Sequence, residues 1–456
     1  MNSINDIFQS AALLPARYTL LNAHVPAALL DCPASDTYST KTTVRIANGF
    51  IESIEESPSN TQNYRNEHVK EFVFDLQDAT LVSAFVDPHT HLDKGDLLSI
   101  GLHPEQDLFD AIKSVRADYA QWTENELRTR IEFALQTAWV HGSRAINTFC
   151  DWAAPGGPLA WHVLKELRQE WAGRIELVLT SLARIDQLAD HQYSTNLAQT
   201  VADGQGVLGW FIYPEAPVNL LSKAFDLAER FDLRLDFHVD EHLDPPQGNL
   251  GHVTKLAQER DYGKRTVCGH CCVLANMQAD SRDSLLDAVA KAQISMVCLP
   301  FTNLYLQDNG LTKDKSGRKT PRLRGLFPVH EARARAIQLA FGSDNHRDPF
   351  FPAGDLDPLQ TLSLASLAAQ LDNPVEEWID TITSGPARLL NLKWDGVLRR
   401  GAPADLIIHR GRNSAEVISR VAHGRIVLRD GQRLPESACL PDFRQFDNLR
   451  ADINAA

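Results

Sequence analysis

Two histidines one residue apart, His89 and His91, end an apolar run in the stretch LVSAFVDPHTHLDKG. Successive side chains of a β-strand point to opposite faces, so histidines at positions i and i+2 point the same way. The preceding run from Leu81 to Val86 is typical of a buried parallel strand. Two imidazoles that converge at a strand end can chelate a divalent metal. Taken alone, the pair is equally compatible with two ordinary histidines in a turn.

Three more polar residues end apolar runs of the same kind: His238 in LDFHVDE, His270 in VCGH and Asp344 in LAFGSD. His91 and His238 are 147 residues apart, His238 and His270 are 32 apart, and His270 and Asp344 are 74 apart. A βα unit of a (β/α)8 barrel takes about 30 residues, somewhat more with insertions. The positions therefore match strands one, five, six and eight of one barrel, at the strand ends where such barrels keep their active sites.

From residue 81 onwards, apolar runs alternate with amphipathic stretches, as repeated βα units require. Residues 1–80 and the C-terminal tail instead contain short β-like runs separated by turn residues. We therefore predict an α/β fold, a (β/α)8 TIM barrel at 81–392, with a small β-sandwich built from 1–80 and 393–456. The eight predicted barrel strands are 81–88, 145–150, 175–182, 206–213, 234–239, 266–271, 294–299 and 337–341.

Length and composition narrow the class of protein. A chain of 456 residues with 43% apolar content can hold one large barrel and a smaller domain. The net charge of -14 argues against nucleic acid or an anionic membrane as a partner. The first residues lack a basic segment followed by an apolar one, and no apolar run reaches membrane-spanning length. We expect a cytoplasmic protein with reduced thiols that binds a small molecule, and a homo-oligomer is compatible with this composition.

The set of HxH on strand one, histidines on strands five and six, and aspartate on strand eight resembles the amidohydrolase superfamily. That resemblance implies metal-dependent hydrolysis at carbon bonded to nitrogen or oxygen. Binuclear members carry a bridging lysine on strand four, whereas that strand here, GVLGWFIYPE, has none. The resemblance thus implies one divalent ion, zinc or iron, since both accept imidazole and carboxylate ligands. Its implied ligands are His89, His91, His238 and Asp344.

The same residues suggest how the chemistry proceeds. A divalent ion lowers the pKa of bound water towards 7. Asp344 can take a proton from that water, and His270 can hydrogen-bond the hydroxide and the developing oxyanion. The resemblance gives Glu241 the transfer of protons to a ring nitrogen and to the leaving amine. Because Glu241 lies three residues beyond His238, it reaches the site only if the chain turns after Val239.

Within the superfamily, the chain resembles the bacterial cytosine deaminase group and its relatives that act on s-triazine rings. The residues that carry this likeness are HVDE at 238–241, NLYLQ at 303–307, Arg324-Gly325, and the stretch 344–354. Those deaminases read the pyrimidine amide with a glutamine after strand three, but residues 180–184 here contain none. The candidate substrate-binding residues near the predicted strand ends are Lys94, Arg184, Asn303, Asn345 and Phe350. If Lys94 and Arg184 point inward, the substrate carries a carboxylate or an acidic ring.

We therefore predict a hydrolytic deaminase that releases ammonia from a cytosine-like, pyrimidine or related heterocycle. Two alternatives keep the metal site: cleavage of a cyclic amide, and release of an alkylamine from an aminotriazine. A third alternative, from another class, is a non-catalytic metal-binding scaffold. The basic run 313–322, within the loop 308–325, is either a solvated face or a mobile lid. Cys268, Cys271 and Cys272 lack the second ligand pair that a structural zinc site needs.

Overall fold

The computed structural model describes residues 2–9, 13–31, 39–59, 72–152, 157–308, 320–435, 437–447 and 449–450. The chain divides into two compact units. The sheet unit comprises Met1–Val86, Trp139–Arg144 and Asp357–Leu440, and the barrel unit comprises Asp87–Ala138, Ala145–Leu356 and Pro441–Ala456. These units group residues 357–392 with the two chain ends, whereas the domain limits drawn above, which stay a prediction, group them with the barrel.

The described strands and helices are as follows. The strands are β1 Asn2–Ser3, β2 Arg17–Pro26, β3 Ser39–Ala47, β4 Phe50–Glu56, β5 Val73–Asp75, β6 Thr80–Ser83, β7 Phe85–Thr90, β8 Ser143–Asp151, β9 Glu176–Arg184, β10 Leu208–Ile212, β11 Leu235–Val239, β12 Thr266–His270, β13 Ser295–Cys298, β14 Leu339–Phe341, β15 Leu406–His409, β16 Arg425–Arg429 and β17 Gln432–Arg433. The α-helices are α1 Ile4–Gln9, α2 Leu108–Asp118, α3 Glu124–His141, α4 Leu159–Glu170, α5 His191–Asp203, α6 Leu221–Phe231, α7 Leu250–Glu259, α8 Ala279–Ala292, α9 Pro300–Leu306, α10 Val329–Ala334, α11 Pro358–Ala369, α12 Pro374–Trp378, α13 Ser384–Leu389 and α14 Ser414–Ile418. None of these helices has the length and apolar character that crossing a bilayer requires.

In the sheet unit, both chain ends contribute to one nine-stranded mixed sheet. The strand order is β1-β5-β2-β6-β15-β16-β17, and β3 and β4 extend from β2. The junction between the N-terminal and C-terminal strands is antiparallel, with Val82 of β6 opposite Ile407 of β15. The prediction that the two ends combine into one small β-domain is therefore confirmed.

In the barrel unit, strands β7 to β14 lie in sequential order in one eight-stranded sheet. The barrel closes where Thr90 pairs in parallel with Asp344, whose N–H donates to His89 O at 2.8 Å. Helices cover the outside of the strands: Phe225 of α6 packs on Phe237 of β11, with ring centroids 6.0 Å apart. The predicted TIM barrel is confirmed.

One predicted strand, 81–88, is wrong in its extent. The structure divides this run between β6, which belongs to the mixed sheet, and β7, which is the first barrel strand. Every residue from Thr80 to Thr90 is buried. A continuous apolar run has no period-two alternation, so it contains no signal for the point at which one sheet ends and another begins.

Candidate active site

Four side chains converge at the carboxyl end of the barrel. His238 Nε2 lies 3.1 Å from His89 Nε2 and 3.2 Å from His91 Nε2. Asp344 Oδ1 lies 3.2 Å from His91 Nε2 and 3.5 Å from His89 Nε2. Ligand atoms about 2.1 Å from a tetrahedral zinc ion are about 3.4 Å from one another. The spacing therefore fits a single divalent ion held by these four residues.

Burial puts the three imidazoles, but not Asp344, in the state that such an ion needs. All four are at most 4% exposed. Burial lowers the pKa of each of the three imidazoles well below its usual value, so the rings are neutral, as ligating histidines must be. Burial also raises the pKa of Asp344 to about 8. A carboxyl so far from solvent is stabilised as its anion by a neighbouring cation, which reverses that shift.

The close approach around His89 depends on two glycines. A Cβ on Gly342 would lie 2.9 Å from His89 Cβ, and a Cβ on Gly269 would lie 3.1 Å from His89 Cε1. Both distances are shorter than ordinary van der Waals contact. Any side chain at Gly269 of β12 or at Gly342, directly after β14, would displace His89 from the other candidate ligands.

Asp87 is a buried positioning residue that the sequence pattern did not single out. Its carboxylate accepts hydrogen bonds from His89 N at 3.3 Å, Ser343 N at 3.2 Å and Ser343 Oγ at 2.5 Å. It therefore connects the histidines of β7 with the segment that carries Asp344. A usable signal was present, since Asp87 is an acidic residue inside a run of buried apolar ones.

His270 points its ring at the same centre but differs from the three histidines that are candidate ligands. Asn303 Nδ2 donates to His270 Nδ1 at 3.0 Å, so the ring proton resides on Nε2. Nε2 is buried and has no hydrogen-bond partner among the described residues. His89, His238 and His270 also form a compact triad, with ligand atoms within 4.8 Å of one another. A protonated Nε2 cannot ligate, so the set with Asp344 is favoured and His270 is left as a hydrogen-bond donor.

Glu241 reaches the site because the chain turns directly before it. Asp240 adopts a left-handed conformation with φ of 57°. Its carboxylate stabilises the turn by accepting from Asn249 N at 2.5 Å and Leu250 N at 3.1 Å. Glu241 Oε1 then lies 3.5 Å from His270 Nδ1. Burial, with a smaller contribution from Asp344, raises the pKa of Glu241 well above its usual value.

A cleft of about 580 Å³, partly open to solvent, leads to this centre. Of the candidate substrate-binding residues, Lys94, Arg184, Asn345 and Phe350 line it. Arg184 also pairs with Asp186 at 3.0 Å, and Asn345 Nδ2 donates to Asp348 at 2.6 Å. Asn303 is fully buried behind His270 and is not part of the lining.

The cleft also has polar lining residues that sequence reasoning missed: Arg116, Tyr119 and Asp151. Asp151 ends strand β8, so its place after an apolar run was a signal of the same kind as for Asp344. Arg116 and Tyr119 lie in and just after α2, where no motif distinguishes them. Of the basic run 313–322, residues 313–319 lie outside the described residues, so the lid stays untested.

Comparisons with known proteins show to which family this chain belongs. The Amidohydrolase family profile matches residues 105–434. A pterin deaminase of Rhizobium rhizogenes (strain K84) is 33% identical over 439 residues, covering 95% of this chain and 97% of the relative. N-isopropylammelide isopropyl amidohydrolase of Pseudomonas sp. (strain ADP) is 22% identical over 368 residues, covering 76% and 85%.

A similar solved structure is that of 5-methylcytosine deaminase from Klebsiella pneumoniae liganded with 5-fluorocytosine. It matches with a TM-score of 0.76 at 21% identity, covering 91% of this chain and 97% of that one. At this identity the likeness concerns the fold. The family match spans well over half of the chain, and the pterin deaminase shares a third of its residues along almost the full length. This chain therefore belongs to the amidohydrolase family and is a hydrolase that acts on carbon–nitrogen bonds.

Proposed function

We propose that the enzyme removes an amino group from a nitrogen heterocycle of the pteridine or pyrimidine class and releases it as ammonia. The observation that carries the proposal is the joint placement of the four candidate metal ligands, His270 and Glu241 at the closed end of one cleft. The 33% identity to a pterin deaminase makes a pterin the first ring to test.

The four convergent ligands fit a single zinc or iron ion. When bound, such an ion supplies Lewis acidity, which makes a water molecule acidic enough to act as nucleophile near neutral pH. The metal-ligating set leaves His270 and Glu241 to act on the substrate itself. Their buried positions also exclude competing water from the reacting atoms.

The protein residues divide the proton transfers between them. Asp344 accepts a proton from the attacking water as its oxygen bonds to the amino-bearing carbon. His270 Nε2–H, held in that tautomer by Asn303, donates a hydrogen bond to the oxyanion that forms. Glu241 donates its proton to the adjacent ring nitrogen, takes the proton of the hydroxyl now bonded to carbon, and passes that proton to the amino group. The proton that Asp344 accepted from water then restores Glu241. The carbon–nitrogen bond breaks, ammonia leaves, and the carbon keeps the oxygen as a carbonyl.

The test is an ammonia-release screen on the purified enzyme loaded with Zn²⁺ or Fe²⁺. The panel contains pterin, cytosine, isocytosine, guanine and ammelide, and bound metal is measured on the same sample. We expect ammonia from at least one ring, with about one metal ion per chain. Failure of every ring with a fully loaded enzyme would contradict the proposal.

A second candidate reaction is release of an alkylamine from an aminotriazine. It is favoured by the 22% identity to N-isopropylammelide isopropyl amidohydrolase, which covers 85% of that relative. N-isopropylammelide is therefore included in the screen, and isopropylamine in place of ammonia would favour this reaction. A newly titrating carboxylate in the product would instead indicate cleavage of a cyclic amide.

A further inference from the structure

A lysine–aspartate pair lines the cleft and takes no part in the proton transfers described above. Lys94 Nζ lies 2.8 Å from Asp151 Oδ1, and the Tyr119 hydroxyl donates to Asp151 Oδ2 at 2.6 Å. Burial and the neighbouring Asp151 raise the pKa of Tyr119 well above its usual value, so its hydroxyl stays a donor. The Asp151 backbone N–H donates to Asp93 at 2.9 Å. These contacts hold the carboxylate of Asp151 in one orientation.

The pair retains hydrogen-bonding capacity within the cleft. An ammonium group has three donors, and a carboxylate has about four acceptor positions. Among the described residues, Asp151 is the one hydrogen-bond acceptor of Lys94, whose side chain is 4% exposed. The ring of Phe350 lies 4.7 Å from Lys94 Nζ. A buried donor without an acceptor costs free energy, so a ligand oxygen at this place would be stabilised.

The lysine also keeps its charge. Burial by itself lowers the pKa of Lys94, but the carboxylates of Asp151 and Asp93 raise it above its usual value. Hydrogen bonds from a charged donor are shorter and stronger than those between neutral groups. A carbonyl oxygen of a ring is therefore a better partner for Lys94 than a ring C–H group or an apolar substituent, because neither of these accepts a hydrogen bond.

The end of β9, where the cytosine deaminase group carries its recognition glutamine, has no amide side chain here. It contributes Leu182, Ala183 and Arg184 to the lining of the cleft. The guanidinium of Arg184 already pairs with Asp186 and is partly exposed. Other polar groups of the lining must then form the hydrogen bonds to the ring. Lys94 and Asp151 present a donor next to an acceptor.

We infer that Lys94 and Asp151 bind the lactam edge of the heterocycle, with Lys94 donating to the ring carbonyl oxygen and Asp151 accepting from the adjacent ring N–H. The inference rests on the proposed function and names its substrate class: an aminoheterocycle with an oxo group next to a ring N–H. A ring without the oxo group leaves Lys94 without its acceptor, and a site built for a polar group rejects an analogue that lacks it.

The experiment compares matched rings in the wild type and in two variants, Lys94→Met and Asp151→Asn. The ring pairs are pterin with 2-aminopteridine, and cytosine with 4-aminopyrimidine, which differ in the oxo group. We expect the variants to lose about 10- to 100-fold in kcat/KM on the oxo ring and little on its partner. A pair that merely supports the fold would lower both rings equally, and that result would overturn the inference.

Controls separate recognition from folding. Metal content and thermal midpoint are measured for each variant, and Asp232→Asn, in an exposed ion pair with Arg265, is the matched control that should change neither ring. Tyr119→Phe removes one hydrogen bond to Asp151 but keeps the pair, so it should retain most of the preference for the oxo ring.

A binding measurement keeps the inference testable without turnover. The affinities of lumazine and 3-methyllumazine, which lacks the N3–H between the two carbonyl groups, are measured by calorimetry on the metal-loaded enzyme. We expect the wild type to favour lumazine by about 10-fold or more, and Asp151→Asn to remove that preference. Preference for lumazine without ammonia release from any ring would overturn the proposed function alone. Ammonia release with the same ring preference in all variants, or no preference in the wild type, would overturn the inference alone.

Discussion

The candidate metal centre and the proposed recognition wall, formed by Lys94 and Asp151, line the same cleft but are held in place in opposite ways. At the centre, His89, His238 and Asp344 come from separate strand ends, are fully or almost fully buried, and point their donor atoms at one place. On the wall, Lys94 and Asp151 hold each other in place by one side-chain hydrogen bond. The backbone therefore positions the reaction chemistry, whereas side-chain partners position the recognition groups.

This difference explains why one region indicates the class of reaction from sequence alone and the other does not indicate the substrate. A candidate ligand at a strand end has little freedom to move, because neighbouring glycines leave room for its side chain and a left-handed backbone conformation aims it. Asp344 and His270 both have positive φ, at 63° and 68°. A side-chain pair can be replaced by another pair of similar reach without moving the backbone. The strand-end residues therefore indicate the class of reaction, whereas they do not indicate the class of substrate.

The largest effect is expected from a change at the metal centre. His238→Ala removes the imidazole whose Nε2 contacts both His89 and His91. We expect bound metal to fall well below one ion per chain and kcat/KM to fall by about 10⁴-fold or more. The check is metal analysis together with ammonia release, with the exposed His252→Ala on α7 as the control. A variant that keeps full metal and activity would show that His238 is not a ligand.

A smaller effect is expected from Glu241→Gln, because it removes the proton donor and leaves the metal ligands in place. We predict a fall in kcat of about 10²- to 10⁴-fold with unchanged metal content. Single-turnover rates measure it, and the exposed Glu259→Gln serves as the control. Loss of metal together with activity would mean instead that Glu241 supports the centre, and the proposed proton transfer would be contradicted.

The smallest effect is expected from a change to the contacts that hold α2, a helix that lines the cleft. Arg450 donates to Asp118 and Glu126 at 2.8 Å, and Asp118 ends α2, the helix that carries Leu108, Ile112 and Arg116 of the lining. Arg450→Met removes one buried partner from each carboxylate, while Glu126 keeps Arg130 at 3.4 Å and Asp118 keeps the Trp122 indole N–H. Breaking such a buried pair costs about 3 kcal/mol.

We expect this variant to show a lower thermal midpoint and a KM raised about 3- to 10-fold, with metal content and kcat nearly unchanged, because α2 shifts while the strand ends stay in place. Arg444→Met, in an exposed ion pair of the same C-terminal segment, should leave all four quantities unchanged. A KM that stays at the wild-type value would show that the Arg450 contacts do not affect substrate binding.

Much of the barrel and its centre could be predicted from the sequence. Alternation within a strand is a local property, so the common direction of His89 and His91 followed from their spacing. The apolar runs before His238, His270 and Asp344 identified strand ends for the same reason. What could not be predicted was also a matter of local pattern, because the run 81–88 contained no signal that it changes sheets after Ser83.

The sequence by itself therefore determined the fold class and the strand ends that carry His89, His91, His238 and Asp344, while the resemblance supplied their proposed role as ligands. Tertiary structure alone decided which polar groups meet across the cleft. Asp151 joins Lys94 from 57 positions away, and Asn303 orients His270 from 33. The physical reason is that strand periodicity acts between neighbouring residues, whereas a pairing of side chains is set by the closure of the whole barrel.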